Sequence, residues 1–375
     1  MSENKHRICV YPYSDEFEPV LRHMNLLEPD YAICALISPR GWGLEGKEAD
    51  CGVSAEKLIV RSAFGDILPD INTLLIPEFE SDEQFAEMAV NSIIGAPPKF
   101  ESVLCFAKFS EAQINKLADN FSSQSHPPAI DDQCSFEAEN VFEYESNDTD
   151  MHLEPLDVPI VAVAGTWWNI DKFETSLALR EMFLSNGYKV SQIGSRNYCE
   201  LMGFHSFPSF MFDPRVDAAK KIVCFNRYVK RIIEKEQPDV VIVGVPGSIQ
   251  SLNDEYTNGF GLLAYLTFQA ITVDFLVLCS FYDHKTDAYL KLMSESCKYK
   301  FGCAADCFHM SNLFIDFTMT SERKSIVTNK IARSYVSKCL DEIDPAPSIP
   351  VLNIYDKQDC RKLFDMIIDK LTFEP

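Results

Sequence analysis

Short apolar runs recur along the chain, separated by segments whose apolar residues return every three or four positions. The runs are the length of buried strands and the spaced segments read as amphipathic helices. Arg7–Tyr11 opens as a strand, and Ser14 or Asp15 begins a helix over Glu16–Leu27. Tyr31–Ser38 is apolar enough to be covered on both faces, as in a parallel sheet. Pro39–Gly52, with glycines at 41, 43, 46 and 52, is a loop. Strands at Thr73–Ile76 and Ser102–Ala107 alternate with helices at Ser81–Asn91 and Ser110–Asn120. After Asp157 the alternation resumes. Strands are predicted at Pro159–Ala164, Lys189–Gly194, Asp239–Val245 and Asp274–Phe281, within Ser311–Phe317, and at Val351–Tyr355. Helices are predicted at Lys172–Asn186 (stopped by Gly187), Pro214–Gln237, Gly259–Thr272, Thr286–Tyr299, Thr328–Leu340 and from Asp359 onward. The expected fold class is α/β, with two doubly wound, mainly parallel-sheet domains: residues 1–120 and 158–375.

Residues 121–157 separate these domains and change the charge picture. The formal net charge of the 375-residue chain is −22. Ten carboxylates lie within Asp131–Asp157 (131, 132, 137, 139, 143, 145, 148, 150, 154 and 157), with no Lys or Arg among them. The stretch reads as a solvated acidic linker, or as a docking strip for a basic peptide. Phe136, Ala138, Phe142 and Tyr144 alternate enough to suggest a strand inside it. The acidic balance disfavours nucleic acid as a partner. No apolar run approaches a membrane span, and MSENKHRICV lacks the core of a secretory signal. Thirteen irregularly spaced cysteines suit reduced thiols in the cytoplasm better than a disulfide framework.

Candidate chemistry concentrates at Val161–Leu179, VAVAGTWWNIDKFETSLAL. A buried strand meets Gly165, a polar loop follows, and Lys172 opens a helix. This is the outline of a phosphate-binding loop, where free N–H groups and the helix dipole favour an anion. A working loop reads G-x-x-x-x-G-K-[ST]. Here it is one residue longer. Asp171 replaces the glycine before the lysine, and Phe173 replaces the hydroxyl that would ligate Mg²⁺. A carboxylate about 4 Å from a phosphate costs roughly 1 kcal/mol in water and roughly 4 at an effective dielectric of 20. The facing strand ends Val243-Gly244-Val245-Pro246-Gly247, with Gly244 where an acidic metal contact is expected. The second domain is thus expected to be P-loop NTPase-like with a degenerate loop. Its candidate phosphate contacts are Gly165, Thr166 and Lys172, with Gly247 opposite, and the cofactor implied is ATP or GTP if the loop still binds one.

Two further groups stand out. Cys297, Cys303, Cys307 and His309 cluster in sequence, but their spacing does not match a zinc site. Arg196, Cys199, Glu200 and His205 lie in the loop Ser195–Asp213, on the side of the sheet where ligands bind. That loop suits a function other than nucleotide binding, or recognition.

The stretches GTWWNIDKFETSLALR, GYKVSQIGSRNYCELMGF and PDVVIVGVPGS resemble a family of clostridial peptide-maturation-system proteins, as do Tyr11–Ser14 (YPYS) and Ser38–Ala49. Phe173 and the longer loop are normal for that family. Asp171 for glycine, Ser176 for glutamine and Ser195-Arg196 for Thr-Glu are departures from it. The resemblance covers most of both domains and implies an accessory role in maturing a ribosomally made, Cys-rich peptide natural product. The implied partners are the precursor peptide and maturation enzymes. The alternatives are an ATP- or GTP-dependent enzyme using the modified loop, and a structural scaffold.

Overall fold

The computed structural model describes residues 6–52, 57–66, 70–79, 83–95, 100–122, 129–131, 151–283, 286–342 and 346–373. Both expected sheets are present, and both are parallel. The chain divides into two compact units: residues 1–134 with 196–206, and residues 135–195 with 207–375. The excursion 196–206, which follows a strand of the second sheet in sequence and ends in the two-residue strand β9 (His205–Ser206), is therefore part of the first unit.

The first sheet contains β1 (His6–Val10), β2 (Tyr31–Ile37), β3 (Val60–Arg61), β4 (Thr73–Ile76), β5 (Ser102–Cys105) and β6 (Ala129–Asp131), in the order β3-β2-β1-β4-β5-β6. All its pairs are parallel. Cys9, Ala35, Ile37, Leu74, Ile76 and Val103 share one face with Ala89, Val90 and Ile93 of helix Glu83–Ile94 and Leu117 of helix Glu111–Ser122. The helix expected over Glu16–Leu27 is broken. Only Glu18–Arg22 is α-helical, flanked by 3₁₀ turns at Asp15–Phe17 and Met24–Leu26, because Pro19 fixes its start and the backbone leaves the helical region at His23.

In the second unit, β7 (Ile160–Gly165), β8 (Val190–Gly194), β10 (Val240–Gly244), β11 (Phe275–Ser280), β12 (Cys307–Met310) and β15 (Val351–Leu352) run in the order β15-β12-β11-β7-β10-β8. These pairs are also parallel. Alternate residues of one strand enter opposite cores. Ala162 and Ala164 pack with helices Ala218–Glu236, Leu262–Ala270 and Asp287–Phe301; Val161 and Val163 pack with helices Lys172–Ser185 and Lys357–Phe373. That division is what a doubly wound sheet requires.

Three expectations change here. The strand beside β11 is Cys307–Met310, fully buried, not a segment within Ser311–Phe317. Leu313–Ile315 (β13) instead pairs antiparallel with Thr328–Lys330 (β14), so the predicted helix begins only at Arg333. The apolar helix begins at Leu262, because Gly259 and Gly261 adopt φ of +64° and +72°. Of the acidic stretch, residues 132–150 lie outside the described residues, including the suggested strand at Phe136–Tyr144. Residues 151–157 lie against helix Ala218–Glu236. The Glu154 N–H donates to Asn226 Oδ1 at 2.7 Å, and Lys230 Nζ donates to Pro155 O and Asp157 Oδ2 at 2.9 and 3.1 Å. No helix among the described residues is long and apolar enough to cross a membrane.

Candidate functional site

In the second sheet β8 and β10 lie on one side of β7, and β11 and β12 on the other. The chain thus reverses direction around β7, and the loop Thr166–Asp171 leaves its carboxyl end at that switch point. Open α/β sheets bind ligands there. The loop is fixed from both sides: the Thr166 N–H donates to Cys279 O and the Ile249 N–H to Gly165 O, each at 2.9 Å. Gly165 is glycine for a steric reason. A Cβ there would stand 2.8 Å from Ile170 Cγ2 and 3.0 Å from Lys172 Cδ. The lysine stem lies directly across the glycine.

The lysine ammonium is turned into its own loop. Lys172 Nζ donates to Trp167 O at 2.8 Å and to Trp168 O at 2.7 Å, with the residue 3% exposed. Both carbonyls belong to the adjacent tryptophans of the loop. Phe173 is buried, and Ser176 Oγ, one turn on, donates back to Lys172 O at 2.8 Å.

Asp171 retains a backbone conformation of φ +22°, in the region that favours glycine. Its side chain explains the choice. Oδ1 accepts from Tyr355 Oη at 3.1 Å and Oδ2 from His309 Nε2 at 3.3 Å. The other ring nitrogen, His309 Nδ1, accepts the Ile354 N–H at 3.1 Å. A nitrogen that accepts an N–H carries no proton, so the hydrogen that reaches Asp171 is on Nε2. Both imidazole nitrogens are thereby used. Burial opposes ionisation of Asp171, but the hydrogen bond and electrostatic attraction of His309, with hydrogen bonds from Ser311 and Tyr355, outweigh it and hold the carboxyl down at about 2. The Arg333 guanidinium lies over the Tyr355 ring at 4.1 Å. The loop mouth therefore contains a fixed carboxylate.

The facing strand adds no acid. Gly244 is closely approached: a Cβ there would meet Ser176 Oγ and the Ser195 amide nitrogen at 3.4 Å. Gly247 forms a left-handed turn at φ +74°. Asp239 sits at the opposite end of β10, where Oδ2 accepts the Lys189 N–H at 2.7 Å. The structure therefore brings Gly165, Thr166 and Lys172 together at one corner. His309 and Tyr355, which complete that corner, were not legible as partners of Asp171, because they lie 138 and 184 residues away. Cys297 and Cys307 are buried, and burial raises the Cys297 and Cys303 thiols to about 12. Among the described residues no three His, Cys, Asp or Glu side chains form a group that could hold a metal.

The first unit has its own switch point, between β1 and β4. Arg196 occupies it. Nη1 is 3.0 Å from Glu78 Oε1, just past β4, and 3.5 Å from Glu16 Oε2, just past β1. Burial raises the Glu78 carboxyl even though Arg196 opposes the shift. Asn197 Nδ2 donates to Phe106 O at 3.3 Å, past β5. Tyr198 packs its ring between Phe17 and Phe106, at centroid distances of 5.4 and 6.0 Å. Cys199 and Glu200 turn inward: Ser206 donates its N–H to Glu200 Oε1 at 2.9 Å, and the Cys199 thiol is raised by burial. Arg196 was legible as a candidate from its loop, but Glu16 and Glu78 carried no signal beyond their positions at strand ends.

No family model matches the sequence, and no curated protein matches it. Among solved structures, the chain is similar to a DUF1611 family protein from Anabaena variabilis, at 13% identity and TM-score 0.63 over 97% of this chain and 99% of that one. The likeness establishes a shared fold across both units. Two weaker similarities involve a GTPase in apo form from Pyrococcus abyssi (13% identity, TM-score 0.31, 58% of this chain and 98% of that one) and a Cyanothece McdA–ATP complex (13%, 0.33, 59% and 99%).

Proposed function

We propose that this chain is an accessory protein in the maturation of a ribosomally made peptide natural product, acting in the cytoplasm by binding a precursor or a partner enzyme, with weak or no NTP hydrolysis of its own. The observation that carries the second part is the state of Lys172. Its ammonium is bonded to the Trp167 and Trp168 carbonyls, beside a carboxylate held ionised by His309 and Tyr355. A phosphate entering here would have to displace two short hydrogen bonds and meet a like charge. The hydroxyl and the acid that would hold Mg²⁺ are Phe173 and Gly244. The loop thus persists as architecture, and function moves to surfaces that bind other chains. The peptide-maturation part rests on the sequence resemblance alone.

Labelled ATP with Mg²⁺ tests the closed loop, using wild type, Lys172→Ala and Asp171→Gly. Wild type is expected to show no lysine-dependent binding tighter than about 100 µM, roughly −5.5 kcal/mol. Asp171→Gly removes the charge at a backbone position suited to glycine, and is expected to gain binding that Lys172→Ala then abolishes. Lysine-dependent binding by wild type below that limit favours the ATP- or GTP-dependent enzyme instead. A pulldown with and without residues 131–150 tests the acidic docking strip; undiminished capture after deletion retires it.

A further inference from the structure

We propose that the crevice at the switch point of the first sheet is a recognition site for peptides carrying an arginine followed two residues later by a tyrosine, and that residues 196–206 occupy it in cis. This goes beyond the accessory role above. It concerns a different site, and it stands whether or not the partner is a maturing peptide.

Three observations converge. The place is where an open parallel sheet of order β3-β2-β1-β4-β5-β6 accepts ligands, and the loops after β1, β4 and β5 all contribute to it. The chemistry is that of a cation site. Two carboxylates from separate loops, Glu78 and Glu16, reach the same Arg196 nitrogen from 3.0 and 3.5 Å, with all three side chains less than a third exposed. Arg196 meets them with a group that keeps its charge even when buried. The contacts come from one short segment that closes into a 3₁₀ turn at Cys199–Met202. Arg196 supplies charge, Asn197 donates to a backbone carbonyl, Tyr198 fills an aromatic slot between Phe17 and Phe106, and Leu201 O accepts the Glu28 N–H at 2.8 Å. Three side-chain anchors and one backbone hydrogen bond fall within six residues, a density of contact found in peptide recognition.

A tethered occupant enjoys an effective concentration on the order of millimolar. A free peptide of the same sequence with an intrinsic Kd near 10 µM would then bind wild type about 100-fold more weakly than a protein whose own segment is released. The test uses the full chain and a fluorescein-labelled synthetic peptide of residues 194–206 carrying Cys199→Ser. Binding is read by anisotropy against wild type, Arg196→Ala/Tyr198→Ala, and that double variant with Glu78→Gln added. Saturable binding to the double variant is expected, about 100-fold weaker on wild type and at least about tenfold weaker once Glu78 is neutralised. No saturable binding to the folded double variant, or binding indifferent to Glu78→Gln, overturns the proposal. Should the double variant not fold by circular dichroism, wild type is titrated with millimolar unlabelled peptide while amide hydrogen exchange is followed. Faster exchange at residues 196–203 supports the site, and unchanged exchange there overturns it.

Discussion

Asp171→Asn isolates the charge that closes the loop. The substitution keeps the size of the side chain but leaves one acceptor oxygen for two donors, His309 Nε2–H and the Tyr355 hydroxyl. One of them must then face an amide N–H₂. The wild-type carboxyl moves from its ordinary 3.8 to about 2 on folding. At 1.36 kcal/mol per pH unit this is about 2 kcal/mol of stability. The sign follows from the direction. A carboxyl whose pKa is depressed by folding contributes fully above its unfolded value near 4 and loses that contribution as pH falls toward 2. The difference in unfolding free energy between wild type and Asp171→Asn is therefore expected to be about 2 kcal/mol from pH 7 down to pH 5, and about half of that near pH 3. Urea unfolding followed by tryptophan fluorescence at pH 7, 5, 4 and 3 measures it. A variant as stable as wild type at pH 7 would refute the bonding scheme. A gap that stays constant to pH 3 would show that the loss is not electrostatic.

Gly165→Ala places a methyl 2.8 Å from Ile170 Cγ2 and 3.0 Å from the Lys172 stem, so it should displace the lysine and cost about 1–3 kcal/mol, read by the same unfolding assay. Asn226→Ala removes the bonds to both backbone groups of Glu154 and to Ala270 O; it should cost about 2 kcal/mol and speed proteolysis within residues 151–157, whereas unchanged cleavage there would refute their anchoring. Buried Cys297, with its thiol raised to about 12, should resist iodoacetamide at pH 8 in the native state and react once urea is added.

The fold was legible because each strand of the central sheets is locally consistent. VVIVG is apolar throughout and FLVLCS up to its final serine, so they read as strands covered on both faces, and they are. The error at β12 has the same origin. CFHM is short and contains His309, so it did not outweigh the apolar run Leu313–Ile315 that follows it. A histidine inside a buried strand becomes acceptable only when both nitrogens are satisfied, and its partners, Ile354 and Asp171, come from distant parts of the chain. Thr328–Lys330 is exposed at all three positions, so no periodicity could separate that hairpin strand from a helix start.

The candidate site divides in the same way. The letters of the loop identify a strand–turn–helix corner, and Gly165 is needed there for the reason the pattern implies, since the lysine stem crosses it. Asp171 is different. In sequence it is a charge in the wrong place, and pairing with the neighbouring Lys172 would be the obvious remedy. The structure bonds it instead to His309 and Tyr355, at strand ends brought beside the loop only by the order β15-β12-β11-β7. Asp171 thus exchanges a glycine's conformational ease for a tie between the loop and two strands. A backbone at φ +22° costs an L residue on the order of 1 kcal/mol, less than the roughly 2 kcal/mol that the ionised carboxylate recovers. On that balance a carboxylate at 171 is a net stabilising feature of the corner, although glycine would suit the backbone better.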